Sequence, residues 1–121
     1  MINVMSKHIL IVEDDPNTLF GLCELLQQEG HQVRGISRGK MALKIIARGS
    51  WDVVLCDDRL SDIDGLTLCC MLKSLRPKLA VCVITAQDNL ETIEQAQQCG
   101  IARVFKKPLA LNDLLAMLDA K

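Results

Sequence analysis

Acidic side chains directly follow two of the most apolar stretches of this 121-residue sequence. The run VVLC leads into Asp57 and Asp58, and the run HILIV leads into Glu13 and Asp14. A segment that is apolar on both faces is typical of an inner strand of a parallel sheet. Parallel sheets bind their ligands at the carboxyl ends of the strands. We therefore predict that these carboxylates meet at one edge of a sheet, where they can do chemistry.

Two more reactive groups are expected at that edge: Thr85 after the run LAVCVI, and Lys107 shortly after the run IARVF. Three carboxylates that lie close together repel each other, and a divalent cation relieves the repulsion. Oxygen ligands suit Mg²⁺, which keeps several of its waters. The ammonium of Lys107 and the hydroxyl of Thr85 could bind the oxygens of a phosphoryl group. One carboxylate could then act as the nucleophile.

Five predicted strands alternate with five predicted helices along the chain. The strands are expected at His8 to Val12, Gln32 to Ile36, Val53 to Cys56, Leu79 to Ile84 and Ile101 to Phe105. This alternation with short connections predicts a doubly wound α/β sandwich. Right-handed crossovers place the carboxyl ends of all its strands on the same edge.

The expected helix starts are acidic. Asp15 precedes Pro16 as an N-cap precedes a proline at N1, and either Asp62 or Asp64 can cap the third helix. Asp88 and Glu91 form a pattern like a capping box before the fourth helix. That helix has a thin apolar stripe, so we expect it to be the least firmly packed.

Composition excludes several classes of protein. Half of the residues are hydrophobic but only 2% are aromatic, which predicts an aliphatic core. A net charge of −1 offers no basic field for direct nucleic-acid binding. No apolar run reaches the ~20 residues needed to span a bilayer. The six cysteines show no CxxC spacing, which favours reduced thiols and a cytoplasmic location.

Four segments together resemble the receiver domain of two-component response regulators: IVEDDP, LCDDRLSDIDG, ITA and KKP. The resemblance runs from about His8 to the end. It implies one receiver domain over residues 1–121, with a core of about 8–119. The implied fold is the flavodoxin-like (βα)5 sandwich with a parallel sheet in strand order 2-1-3-4-5.

The resemblance also implies roles for particular residues. The phosphoacceptor would be Asp57, because Gly65 matches the family's glycine eight positions after the acceptor. The ligands of Mg²⁺ would be Glu13, Asp14, Asp57 and the backbone carbonyl of Arg59. The phosphate-stabilising and switch residues would be Thr85, Ala86 and Lys107.

Three departures from the family pattern bear on switching. Ser61 stands where the family usually has proline, and Val104 stands where many members carry the switch tyrosine or phenylalanine. The coupling of Thr85 to a rotating aromatic ring is therefore in question for this chain. Asp58 and Arg59 give the rim of the site both signs of charge.

By this resemblance, the chain takes a phosphoryl group from a histidine kinase or a phosphotransfer protein and changes a face that binds an output domain or target. It would be no enzyme beyond its own phosphotransfer and dephosphorylation. A homodimer could form through the fourth helix, fifth strand and fifth helix. The alternative is a pseudo-receiver that is never phosphorylated and serves as a constitutive interaction module.

Two other classes are disfavoured by motifs. An aspartyl phosphatase would carry a DxD at the end of the central strand, whereas Asp57 is followed there by Asp58 and Arg59. A flavodoxin-like cofactor binder would carry a Gly- or Thr-rich phosphate loop after the first strand, which is also absent.

Overall fold

A computed structural model describes residues 6–87 and 89–119 and shows a five-stranded parallel sheet with helices on both faces. The strands are β1 (His8–Val12), β2 (Gln32–Ile36), β3 (Val53–Asp57), β4 (Ala80–Thr85) and β5 (Arg103–Lys106). The helices are α1 (Pro16–Gln28), α2 (Gly39–Arg48), α3 (Gly65–Leu75), α4 (Leu90–Cys99) and α5 (Leu111–Asp119). Among the described residues, no helix has the length and apolar character needed to cross a membrane.

The strand order is β2-β1-β3-β4-β5, with all pairings parallel, which confirms the predicted fold. β3 lies at the centre between β1 and β4, and all five of its residues are buried. β2 lies at an edge of the sheet, where Arg34 and Gly35 can interrupt the apolar pattern. The uninterrupted apolar runs therefore correspond to the inner strands of the sheet.

Successive strand residues contribute to two separate hydrophobic cores, because their side chains alternate between the faces of the sheet. On one face, Cys56 of β3 packs in a cluster with buried residues of α2 and α3. On the other face, Leu55 packs in a cluster with buried residues of α1 and α5. This alternation continues to the carboxyl ends of the strands, so it decides to which face of the sheet each carboxylate there points.

Two helices begin at the aspartates that the sequence indicated. The Asp15 carboxylate accepts a hydrogen bond from Thr18 N at 2.9 Å and caps α1. The Asp64 carboxylate accepts one from Thr67 N at 2.9 Å and caps α3. Both bonds satisfy amides that have no partner within their own helix.

Asp62, the other candidate cap for α3, binds a different helix. Its two carboxylate oxygens accept hydrogen bonds from Gly39 N and Lys40 N, each at 2.9 Å. These contacts hold the β3–α3 loop against the start of α2. They also lower the pKa of Asp62, chiefly through the bond from Lys40 N.

α4 is thinly packed, as its narrow apolar stripe predicted. Within this helix only Ala96 is buried, while Leu90 is 70% exposed. Asn89 caps it by accepting a hydrogen bond from Thr92 N at 2.9 Å. The predicted cap Asp88 lies outside the described residues.

A disulfide joins Cys70 of α3 to Cys99 at the end of α4, so the expectation that the cysteines are all reduced is wrong. The two cysteines are 29 residues apart, and only the packing of α4 beside α3 brings them together. No local spacing could have indicated this pair. Cys56 and Cys82 are free and buried, and each packs as a small hydrophobic residue in one of the two cores.

Loss of this disulfide should destabilise the protein. We expect Cys70→Ser to lower the free energy of unfolding by about 3 kcal/mol, because the crosslink restricts a long loop in the unfolded chain. Urea unfolding without reductant measures the difference, with Cys23→Ser as a control that leaves the crosslink in place. With reductant, wild type and Cys70→Ser should unfold together. Equal stability of wild type with and without reductant would contradict the crosslink.

Candidate functional site

Asp57, the last residue of β3, is a buried carboxylate in contact with a lysine. Lys107, just after β5, brings its Nζ to 2.9 Å from Asp57 Oδ1. The same Asp57 oxygen accepts a hydrogen bond from Arg59 N at 3.3 Å. The structure therefore brings together the predicted nucleophile and the predicted phosphate-binding cation.

Glu13, which follows β1, is buried and lines the same cavity as Asp57, and the two carboxyl groups interact electrostatically. Glu13 also accepts a hydrogen bond from Asp15 N at 3.1 Å. Burial raises the pKa of Glu13, and the Asp57 carboxylate adds to the increase. Glu13 thus takes up a proton more readily than an ordinary glutamate does.

Asp57 and Lys107 respond to this environment in opposite directions. Burial opposes ionisation of Asp57, but the hydrogen bonds with Lys107 and Glu13 outweigh it and lower the pKa of Asp57. Burial would also discharge Lys107, yet the hydrogen bond to Asp57 outweighs it and raises the pKa of Lys107. The pair is therefore held as carboxylate and ammonium.

A cavity of about 620 Å³ opens above these groups. Asp14 and Arg59 line it together with Glu13, Asp57 and Lys107. Asp14 is exposed, and its Oδ1 accepts a hydrogen bond from Ser61 Oγ at 3.2 Å. Ser61 attracted notice in the sequence only as a substitute for proline. Its bond to Asp14 spans 47 positions and left no local signal.

Thr85 reaches the same edge, but its hydroxyl is directed elsewhere. Thr85 is fully buried, does not line the acidic cavity and donates a hydrogen bond to Asp58 Oδ2 at 2.6 Å. From the sequence, Asp58 was only a charge on the rim. The structure makes it the partner of Thr85.

Ala86 follows Thr85 directly, and Val104 of β5 lies opposite Val83 of β4. Ala86 is exposed immediately after β4. Val104 is half-buried and packs against the cluster that α2 and α3 form with the sheet. No aromatic ring occupies this position of β5.

Gly65 permits the close approach of α3 to the end of β3. A Cβ atom at this position would collide with the carbonyl oxygen of Asp57 and come within 2.5 Å of Asp58 Cα. Gly65 N also donates a hydrogen bond to Asp58 O at 3.0 Å. A residue with a side chain here would push the loop, and with it the acidic pair, out of place.

The oxygens around the cavity fit Mg²⁺ better than a metal that needs a full set of protein ligands. In the described part of the chain, no group of three His, Cys, Asp or Glu side chains is arranged to hold a metal alone. Mg²⁺ takes one or two carboxylates and keeps waters for the rest. Asp57, Asp14 and Glu13 supply such carboxylates at one cavity, which Arg59 also lines.

Comparison with known proteins agrees with the geometry. The sequence profile described as "Response regulator receiver domain" matches residues 9–119. The transcriptional regulatory protein ZraR of Escherichia coli strain K12 is 33% identical over 111 residues, which cover 92% of this chain and 25% of that protein. The chain thus spans about a quarter of the length of this curated relative.

Two solved structures are also similar. The BeF3-activated receiver domain of Thermotoga maritima DrrB has 31% identity and a TM-score of 0.82, and covers 94% of this chain and 95% of its own. A Burkholderia pseudomallei response regulator with a phosphorylated aspartic acid, a calcium ion and citrate has 26% identity and a TM-score of 0.86. That alignment covers 95% of this chain and 68% of the other.

Mg²⁺ should stabilise the folded chain, because the carboxylates converge only there. At saturating Mg²⁺ and constant ionic strength we expect the melting temperature to rise by about 5 °C. Asp14→Asn should lose most of this increase, whereas Asp113→Asn, an exposed aspartate of α5, should keep it. Thermal scans of the three proteins measure the effect. No increase in wild type, or an equal one in Asp14→Asn, would exclude a cation site at this cavity.

Proposed function

Because the chain belongs to the response regulator receiver domain family, we propose that Asp57 accepts a phosphoryl group in a Mg²⁺-dependent reaction. The donor would be a histidine kinase or a histidine phosphotransfer protein. The phosphorylated chain would then present a changed face to its partner. The observation that carries this proposal is the 2.9 Å contact between Lys107 Nζ and the buried carboxylate of Asp57.

The proposed reaction is a simple transfer. A carboxylate oxygen of Asp57 attacks phosphorus, an oxygen–phosphorus bond forms, and the phosphorus–nitrogen bond to the donor histidine breaks. Lys107 would move its ammonium from the carboxylate to an oxygen of the phosphoryl group, where it offsets the added negative charge. Bound Mg²⁺, held by Asp14, Asp57, the carbonyl of Arg59 and, through water, Glu13, would neutralise charge on the phosphoryl oxygens.

Two relatives support this chemistry by what their structures contain. The Burkholderia protein carries a phosphorylated aspartic acid together with a calcium ion. The DrrB receiver domain is activated by BeF3, whose beryllium and fluorines stand in for a phosphoryl group. For this chain, a phosphorylated aspartate and a bound cation are part of the proposal.

The remaining parts of the proposal concern partners and setting. Residues 1–121 would form one receiver domain with a core of about 8–119, acting on an output domain or a separate target. A homodimer could use the face formed by α4, β5 and α5. The location would be cytoplasmic, with no catalysis beyond the chain's own phosphotransfer and dephosphorylation.

Phosphorylation tests which of the adjacent aspartates is the nucleophile. Incubation with Mg²⁺ and acetyl phosphate should add about 80 Da, the mass of a phosphoryl group, to wild type. Asp57→Asn should abolish the increment, because only Asp57 contacts Lys107. Asp58→Asn should keep it. Intact-mass spectrometry measures all three proteins.

Two results would overturn this assignment. An increment that survives in Asp57→Asn and vanishes in Asp58→Asn would move the nucleophile by one residue. An increment that is absent from wild type, at a concentration that labels a related receiver domain, would favour the constitutive interaction module instead.

The response to phosphorylation should appear in α4. Val104 removes the option of burying an aromatic ring, so the change should pass from Thr85 to the thinly packed helix Leu90–Cys99. We expect hydrogen exchange in α4 to change with BeF3⁻ and Mg²⁺, with Asp57→Asn as the unresponsive control. Unchanged protection of α4 together with a change on another face would contradict this route.

A further inference from the structure

The Thr85 hydroxyl is fully engaged away from the proposed phosphoryl site. It donates to Asp58 Oδ2 at 2.6 Å and accepts from Gln87 N at 2.9 Å. A second acceptor for its proton, Gln87 O, is farther away at 3.3 Å. A hydroxyl has a single proton, so the short bond to the carboxylate of Asp58 uses the only donor that Thr85 has.

Strand geometry explains why Asp58 and not Asp57 binds Thr85. Asp57 continues the alternation of Leu55, whose face of the sheet carries α1 and α5. Cys56 and Val83 lie on the opposite face of the sheet. Asp58 comes two residues after Cys56, and Thr85 comes two residues after Val83, so each continues the alternation on that opposite face. Asp57 and Asp58 therefore point to opposite faces of the sheet, and Thr85 lies on the side of Asp58.

The second oxygen of the Asp58 carboxylate marks this contact as unusual. Asp58 Oδ1 is buried and has no hydrogen-bond partner among the residues that the structure describes. A shielded carboxylate oxygen without a partner costs free energy. An apolar residue of similar size would avoid that cost, so packing alone does not account for an aspartate here.

We infer that Asp58 is a positioning residue that holds Thr85 in the unphosphorylated arrangement by competing with the phosphoryl group for the single hydroxyl proton of Thr85. The inference rests on the proposed function, together with the role expected from the sequence, in which the Thr85 hydroxyl binds a phosphoryl oxygen. Phosphorylation at Asp57 must then break the Asp58–Thr85 bond before Thr85 can turn. The partly buried aspartate thereby opposes the phosphorylated arrangement.

Removal of Asp58 should therefore favour the phosphorylated arrangement. We expect Asp58→Ala to tighten the binding of BeF3⁻, at saturating Mg²⁺, by roughly tenfold, the size expected for losing a competing hydrogen bond to a charged group. Asp58→Asn keeps an acceptor oxygen without the charge, so its gain should be smaller. Fluorine NMR of bound BeF3⁻ follows saturation in each protein.

A double-mutant cycle separates this competition from simple charge repulsion between Asp58 and the bound anion. In a Thr85→Val background, Asp58→Ala should change the affinity by less than about twofold, because the hydroxyl is gone. An equal gain in both backgrounds would show repulsion alone and overturn the inference. Unchanged affinity of Asp58→Ala would also overturn it. Failure of wild type to bind BeF3⁻ would instead overturn the proposed function, and this inference with it.

A second measurement needs neither metal nor phosphoryl mimic. Three-bond couplings to the Thr85 methyl carbon report the rotamer of its side chain. We expect one rotamer in wild type, the same rotamer in Asp58→Asn, and averaging between rotamers in Asp58→Ala. A single unchanged rotamer in Asp58→Ala would show that Asp58 does not position Thr85.

Discussion

The contact between the ammonium of Lys107 and the buried carboxylate of Asp57 constrains everything around it. The Asp57 carboxylate is withdrawn from water, whereas the Lys107 side chain stays 36% exposed, so Asp57 depends on the lysine and on the hydrogen bonds that complete the site. Removal of Lys107 would leave an uncompensated buried charge at the end of the central strand. The surrounding features serve this arrangement: β3 and β5 bring the two residues together, and Gly65 lets α3 begin close behind Asp57.

The strand alternation divides the edge of the sheet into two half-sites that share one backbone. The first half-site contains Asp57, Glu13 and Lys107 and lies on the side of α1 and α5. The second half-site contains Asp58 and Thr85 and lies on the opposite side. The planar peptide bond between Asp57 and Asp58 fixes the distance between their Cα atoms. A displacement of the Asp57 Cα atom would therefore also act on Asp58, the hydrogen-bond partner of Thr85.

Sequence reasoning was reliable where the signal was local and periodic. The buried strands appeared as unbroken apolar runs, and their carboxyl ends followed from them, so Glu13, Asp57 and Lys107 could be expected at one place. The contacts that were missed join distant positions: Ser61 with Asp14, Asp62 with the start of α2, and Cys70 with Cys99. Each depends on how packed elements face one another, and neither periodicity nor spacing along the chain records that.

The support of α4 is uneven along its length, and this bears on how the second half-site could act. Its one buried residue, Ala96, and its disulfide cysteine, Cys99, both lie in the C-terminal half. Its first residue, Leu90, is largely exposed and follows the β4–α4 loop that begins after Thr85. Packing and the crosslink therefore hold the end of α4 that is remote from the site, while the end next to Thr85 gains little free energy from burial. A change in the hydrogen bonding of Thr85 thus acts on the part of the helix that costs least to move.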